Sequence, residues 1–162
     1  MAHLFSAGFL DRLLWSSEAA ARNPNLTLAQ YKSSVARDLE SLLNTRTAFP
    51  QANLSQFPES ANSILNYGLR DFSNLCLSNI ADRETICSAV KAAIERHESR
   101  LSSVSASLRV ASGSSCRVEF VITALLQTEV AGEPVQFDAQ LDSATQQYSI
   151  LTSQANEKAD AA

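Results

Sequence analysis

The chain contains few of the residues that usually carry metal binding or redox chemistry. Its 162 residues include three cysteines and two histidines. Cys76, Cys87 and Cys116 are odd in number and widely spaced, which favours reduced, buried thiols over a disulfide framework. His3 and His97 do not stand among other metal-ligating residues at the spacing of a metal site. The sequence therefore predicts no metal and no cofactor.

Glycine is also scarce, and the four glycines form none of the motifs that bind nucleotides or activate a serine. The sequence has no GxGxxG fingerprint, no Walker loop and no GxSxG elbow. Charged residues make up 19% of the chain and leave a net charge of -4, with the basic residues scattered along the sequence. A nucleic-acid partner would call for massed positive charge, so we expect none.

Long hydrophobic runs are absent. No segment approaches the roughly 18 apolar residues that a membrane span requires, so direct membrane insertion is not expected. The first residues, MAHLFSAGFLDRLLWSS, lack a basic leader and are interrupted by Asp11 and Arg12, which is untypical of a secretory signal. We therefore expect a cytoplasmic protein, and the length favours a single domain.

Helical periodicity is clearest in the stretch TLAQYKSSVARDLESLLNT. Apolar residues recur along one face of this segment, and Thr27 with Gln30 forms a capping box at its start. Asn44 is a suitable residue to end this helix. The residues on the apolar face are Leu28, Tyr31, Val35, Leu39 and Leu42.

Two further helices are predicted before the strands begin. Pro58 opens a short helix that runs to about Asn66, and Gly68 stops it. The next helix begins after Asp82 as N-cap and ends near Glu98. Its buried face is predicted to comprise Ile86, Val90, Ala93 and Ile94.

From residue 101 onward the apolar pattern has a period of two, which is typical of strands. Four strands joined by short turns, with SGSS at 112–115 and Gly132 as turn signals, predict an antiparallel meander. The fold class is α+β, with a small antiparallel four-stranded sheet in the C-terminal half packed against about three N-terminal helices. The predicted inward faces are Val104, Ala106, Leu108 and Val110; Cys116, Val118, Phe120, Ile122, Ala124 and Leu126; Val135, Phe137, Ala139 and Leu141; and Tyr148 with Ile150.

The chain divides into three predicted parts. Residues 1–26 form an N-terminal arm, 27–152 a single domain and 153–162 a disordered tail without large apolar residues. The arm either folds against the domain or docks in a partner. Val121 and Leu125 are predicted to be exposed on the outer face of the second strand, where the arm or a partner could cover them.

The junction between the last helix and the first strand carries an unexpected acid. A helix C-terminus has partial negative charge, so Glu98 is unfavourable there unless it is solvated or a cation offsets it. Glycoside hydrolysis needs only two suitably spaced carboxylates, so counting acids leaves that chemistry open. The acids considered for it are Glu95, Glu98, Asp138 and Asp142.

Several stretches resemble one known family: LFSAGFLDRLL, SVARDLESLLNTR, FPESANSILNYGLRDFSNL, AIERHESRL and EPVQFDAQL. Over about residues 8–152, and in the same order, they look like the TssE family of type VI secretion baseplate subunits. That family is similar to the phage tail baseplate wedge proteins, also called lysozyme-like. The resemblance implies a structural protein rather than an enzyme, with a peptidoglycan hydrolase using acidic residues as the alternative.

The family's hallmark is a Glu-Pro-Arg triplet at the junction, which corresponds here to Glu98, Ser99 and Arg100. The resemblance implies that these residues contact the neighbouring baseplate subunits TssF, TssG and TssK, in an assembly docked at the inner membrane. It also implies that the sheath proteins TssB and TssC add strands to a sheet edge. Alternatively, Glu98 and Arg100 pair locally and hold the helix to the sheet. Serine in place of proline leaves the junction less rigid.

Overall fold

The computed structural model describes residues 5–6, 25–47, 56–110, 117–128, 132–142 and 145–152. Outside these ranges lie most of the predicted arm, residues 48–55, the turn at 112–115, Cys116 and the predicted tail, so the division into arm, domain and tail stays a prediction. The elements are β1 (Phe5–Ser6), β2 (Asn25–Leu26), α1 (Leu28–Asn44), α2 (Pro58–Ala61), a 3₁₀ turn (Ile64–Asn66), α3 (Ile80–His97), β3 (Leu101–Val110), β4 (Arg117–Gln127), β5 (Gly132–Asp142) and β6 (Gln147–Thr152).

Helix α1 begins and ends where the sequence predicts. The side chain of Thr27 accepts a hydrogen bond from the amide of Gln30, and the Gln30 side chain accepts one from the amide of Thr27. This reciprocal pair satisfies two amides that the first helical turn leaves without partners. The predicted buried positions Tyr31, Val35 and Leu39 all lie in the core, so the capping box and the apolar face are confirmed.

The segment after Pro58 is less regular than predicted. Helix α2 ends at Ala61, and the chain resumes as a 3₁₀ turn capped by Ser63, whose hydroxyl accepts from the amide of Leu65. Gly68 has a φ of +105°, and a Cβ there would overlap the carbonyl oxygen of Thr45. A glycine is required at this close approach, where residues 46 and 69 form a parallel bridge.

Helix α3 starts three residues earlier than the sequence predicts. Its N-cap is Asn79, whose side-chain oxygen accepts from the amide of Ala81. Asp82 instead accepts a hydrogen bond from the amide of Cys76 and holds the preceding loop. The prediction of Asp82 as N-cap is wrong because two capping residues stand close together and the loop uses the second. The predicted buried face and the end near Glu98 are confirmed.

The four strands β3 to β6 form an antiparallel meander in sequence order. Together with the preceding helices they make the predicted α+β fold. The core face of the sheet carries the predicted residues of the central strands. These are Val118, Phe120, Ile122, Ala124 and Leu126 on β4, and Val135, Phe137 and Ala139 on β5.

Strand β3 contains an irregularity that the sequence pattern does not reveal. Its register with β4 shifts by one between Ser102 and Ser105, and Ser103 has a φ of +52°. The extra residue lets both Leu101 and Val104 face the core, although three positions separate them.

The outer face of the sheet differs from the prediction at Val121. Leu125 is exposed, as expected, but Val121 retains only 8% of its accessible surface. Val121 lies in the middle of a central strand, between Ser107 and Asp138 on the flanking strands, whose side chains share its face. The predicted exposed apolar patch therefore loses Val121.

Candidate functional site

The junction at residues 98–100 is a tight turn that joins α3 to β3. Glu98 is the C-cap of α3, and its amide donates to the carbonyl of Ile94 at 2.8 Å. The carbonyl of Glu98 then accepts from the amide of Leu101 at 3.1 Å. One step further, the carbonyl of Arg100 accepts from Gln127 at the end of β4, at 2.8 Å. Backbone hydrogen bonds of the three residues 98–100 thus connect the end of α3 to the sheet.

The side chains at the junction form an ionic cluster that reaches back to α1. Arg100 donates from Nε to Glu98 Oε1 at 2.7 Å and from Nη2 to Glu98 Oε2 at 2.5 Å. The same Nη2 is 2.6 Å from Asp38 Oδ2 on α1. Nη1 donates to the hydroxyl of Ser34 at 3.4 Å. A single guanidinium therefore connects α1, the end of α3 and the start of β3.

The cluster lies largely out of solvent. Glu98 is 7% exposed, and the side chains of Arg100 and Asp38 are 19% and 28% exposed. Burial by itself lowers the pKa of Arg100, but the hydrogen bonds and negative charges of Glu98 and Asp38 outweigh it and raise the pKa above its usual value. Arg100 therefore stays charged at every pH at which the protein is folded.

This geometry shows what offsets the unfavourable position of Glu98. Glu98 is not solvated, because the residue is buried, and the cation beside it is supplied by the same chain. A charge buried without a partner would cost several kcal/mol, so Glu98 and Arg100 depend on each other. Ser99 is exposed at the tip of the turn. Contact of Glu98, Ser99 and Arg100 with another subunit stays a prediction.

Aromatic side chains surround the cluster. The guanidinium carbon of Arg100 is 5.9 Å from the ring centre of Tyr31. The rings of Tyr67 and His97 meet edge to face at 5.2 Å, and His97 Nε2 is 3.0 Å from the carbonyl oxygen of Asn66. Burial raises the pKa of both tyrosines, so they remain neutral. Burial lowers the pKa of His97, as does Arg96, against the opposite effect of the Asn66 carbonyl.

Sequence reasoning missed the α1 side of the cluster. Asp38 and Ser34 stand more than sixty positions before Arg100, and neither belongs to a motif. The available signal was spacing, because Tyr31, Ser34 and Asp38 recur at intervals of three and four on one face of α1. Ser34 is buried there among apolar residues, which marks it as a hydrogen-bonding position.

The acids considered for glycoside hydrolysis are dispersed or already engaged. Glu98 is bonded to Arg100, Glu95 lies 3.9 Å from Lys91, and Asp138 accepts from Gln136 at 3.0 Å. A half-open apolar cleft, formed by the 71–77 loop, Ile86 and the sheet, contains none of the four acids. Within the described residues, no group of histidine, cysteine and acidic side chains is arranged to hold a metal ion.

The last strand, β6, has its outer edge closed by side chains of α1. Asn44 donates from Nδ2 to the carbonyl of Tyr148 and accepts from its amide through Oδ1, both at 2.8 Å. Two residues on, the amide of Ile150 donates to Glu40 Oε2 at 3.0 Å. Arg46, just after the helix, donates to the carbonyl of Gln146 at 3.2 Å. These contacts replace the hydrogen bonds that a fifth strand would make.

Among the described residues, none covers the opposite edge strand, β3, in a comparable way. In the described ranges, the hydrogen bond from the amide of Leu101 to Glu98 is the one recorded contact to its outer edge. From Ser105 to Val110 the strand is regular and pairs with β4 alone. Alternate amides and carbonyls of an edge strand point away from the sheet, so within the described part of the chain this segment presents unpaired backbone groups.

The described helices include none that is both long and apolar enough to cross a bilayer.

In the comparisons with known proteins, a family model described as baseplate wedge protein gp25 matches residues 29–131. This range covers more than half of the chain and includes most of α1, all of α3, the junction, β3 and β4. Comparisons with curated proteins and with solved structures gave no match.

Proposed function

Because this chain belongs to the family of baseplate wedge protein gp25, we propose that it is a subunit of a type VI secretion baseplate that binds neighbouring wedge subunits and starts sheath assembly. The family match confirms the resemblance drawn from the sequence and places the chain in a family of structural baseplate proteins. The secretion system, the partners and a cytoplasmic position in an assembly at the inner membrane are part of the proposal.

The observation that carries the sheath part of the proposal is the difference between the two sheet edges. An incoming strand needs unpaired amides and carbonyls in a regular row, and in the described part of the chain β3 offers them from Ser105 to Val110. On β6 the same groups are bonded to Asn44 and Glu40. We therefore assign β3 as the strand to which extended segments of TssB or TssC add.

Hydrogen exchange tests this assignment directly. The protein is incubated in deuterated buffer with and without a TssB–TssC complex, and exchange is followed for peptides covering β3 and β6. We expect slower exchange in residues 105–110 when the sheath proteins are present, because their amides gain acceptors. Peptides from β6 serve as the internal control. Protection of β6 instead, or of neither strand, would contradict the assignment.

The junction is proposed as the contact with TssF, TssG and TssK. Ser99 is exposed at its tip, next to the partly exposed Arg100, while Glu98 holds the guanidinium in place. In this arrangement Glu98 acts on a partner through Arg100. The ionic cluster is at the same time a local brace between α1, α3 and β3, so the two roles need separate measurements.

A substitution at Ser99 separates them, because it leaves the cluster intact. Ser99→Arg adds a bulky charge at the tip, and Ser88→Arg, at an exposed position on α3, is its matched control. Both variants are expected to melt like the wild type. We expect Ser99→Arg alone to lose co-purification with TssF, TssG and TssK. Full retention of binding would leave the junction with its bracing role only.

A further inference from the structure

We propose that the isolated chain forms a two-fold symmetric dimer in which β3 pairs antiparallel with β3 of a second copy. The dimer would extend the four-stranded sheet of each copy into a continuous sheet of eight strands. This inference goes beyond the proposed function, since it concerns the protein before any partner is present. It follows from the open edge of β3 and from the order of side chains along that strand.

The sequence of β3 is complementary to itself in one register. When the two-fold axis passes through Ser107, Ala106 lies opposite Leu108, Ser105 opposite Arg109, and Val104 opposite Val110 of the other copy. Apolar residues then meet apolar residues, and each arginine meets a serine rather than the other arginine. Like charges directly opposite each other destabilise strand pairs, and this register contains none.

The pairing also avoids the irregular part of the strand. The register shift lies between Ser102 and Ser105, with Ser103 in a left-handed conformation. A two-fold axis at Ser107 uses residues 104–110 and leaves the bulge outside the new ladder. Edge strands that resist association commonly carry charged residues, proline or a bulge. This segment has no proline, its bulge is at one end, and its one charged residue, Arg109, lies opposite a serine in this register.

The core-facing residues of this segment gain cover in the dimer. Ala106 and Leu108 pack against the core, but they are only half-buried, whereas their ladder partners Ile122 and Phe120 on β4 are fully buried. Because Ala106 lies opposite Leu108 of the second copy, each side chain covers the other. Additional apolar burial and new backbone hydrogen bonds both favour association.

The dimer would use the same edge that the proposed function assigns to the sheath strand. A copy with its β3 paired to another copy cannot accept a strand from TssB or TssC. The dimer therefore holds the protein in a form unable to start sheath assembly, and incorporation into the baseplate requires its dissociation.

The test is the oligomeric state of the purified full chain, measured by sedimentation velocity over a concentration series. We expect a concentration-dependent dimer for the wild type. In Ser107→Lys, two positive charges face each other across the axis, which should weaken dimerisation about fivefold or more. Ser149→Lys is the matched control, because Ser149 is also an exposed serine and lies on the closed edge strand. It should dimerise like the wild type.

Mixing variants examines the register itself. Ser107→Glu alone should also dimerise weakly, whereas an equimolar mixture of Ser107→Lys and Ser107→Glu should recover dimer through the opposite charges. A wild type that stays monomeric throughout, or equal loss in Ser107→Lys and Ser149→Lys, would overturn the proposal. These results are independent of the exchange experiment with TssB–TssC, so failure of one proposal is distinguishable from failure of the other.

Discussion

The two edge strands of the sheet are secured in different ways. Along β6, the side chains of Asn44 and Glu40 on α1 bond to the backbone of Tyr148 and Ile150, and Arg46 just after the helix bonds to Gln146 just before the strand. β3 is held at its first residues, where Arg100 joins Glu98 and Asp38, and no described residue covers the rest of its edge. The comparison shows that a strand is closed or available according to what packs beside it.

The strands themselves give little indication of this difference. Neither QYSILT nor LSSVSASLRV contains lysine or proline, and the one charged residue of the two strands is Arg109. Edge protection by residue type is therefore absent from β6 and limited to a single arginine in β3. The distinction arises because α1 lies beside β6, where the side-chain amide of Asn44 bonds to the backbone of Tyr148.

The largest effect is expected from breaking the ionic cluster at the start of β3. Arg100→Ala leaves the buried carboxylate of Glu98 without its cation and should lower the free energy of unfolding by about 3 to 5 kcal/mol. Urea denaturation measures this loss. Arg109→Ala, an exposed arginine on the same strand, is the control and should change stability by less than about 0.5 kcal/mol. Equal effects of the two substitutions would show that the cluster does not hold β3.

A smaller effect is expected from opening β6. The double variant Glu40→Ala, Asn44→Ala removes the partners of three backbone groups at a partly exposed edge. Water can replace some of these contacts, so we expect a loss of about 2 kcal/mol. The specific readout is faster hydrogen exchange at the amides of Tyr148 and Ile150. Ser33→Ala, on the exposed side of α1, is the control and should leave that exchange unchanged. If exchange at Tyr148 and Ile150 is also unchanged in the double variant, the edge is not closed by these side chains.

Rigidity at the junction should change stability in the opposite direction. Within the described residues, the amide of Ser99 has no acceptor, and Glu98 before it has φ of -116° and ψ of +85°, outside the helical region that a following proline disfavours. Ser99→Pro should therefore stabilise the fold by about 0.5 kcal/mol, because it restricts the unfolded chain. Thermal denaturation beside Ser99→Ala gives the comparison. A less stable proline variant would mean that the turn requires a φ that proline cannot adopt.

The smallest expected effect is a pH dependence of stability caused by His97, at the end of α3. Burial lowers the pKa of His97 in the folded protein below its unfolded value, so between these two pKa values the unfolded state binds more protons. Stability should then fall as the pH drops below about 6.5, toward the folded pKa. Urea denaturation at pH 7 and at mildly acidic pH should show this slope in the wild type and a shallower one in His97→Gln. Identical slopes would remove His97 as its cause.

The central parts of the fold were readable from the sequence because their signals are local. The capping box of Thr27 and Gln30 involves residues three positions apart, and the inward face of β4 follows a strict period of two. The start of α3 was misassigned because Asn79 and Asp82 are both good caps, and the choice depends on the loop that Asp82 holds. The β3 bulge was hidden because Ser103 adopts a conformation more common in glycine.

The candidate site was only half predictable. Glu98, Ser99 and Arg100 were identified from the junction and from the family resemblance, but their intramolecular partner Asp38 comes from α1. No short-range pattern connects residues so far apart in the chain. Which sheet edge is open and which is closed could not be predicted from the sequence either, since it depends on contacts between α1 and β6.

By itself, the sequence determined the fold class, the apolar faces of its elements and the family to which the chain belongs, because periodicity, caps and turns act over a few residues. The tertiary structure decided what surrounds those elements. It brought Asp38 to Arg100, so that an acid at a helix C-terminus is neutralised within the chain. It also placed α1 against β6, while no described residue covers the edge of β3, because hydrogen-bond and ion-pair partners are set by three-dimensional packing rather than by neighbours in sequence.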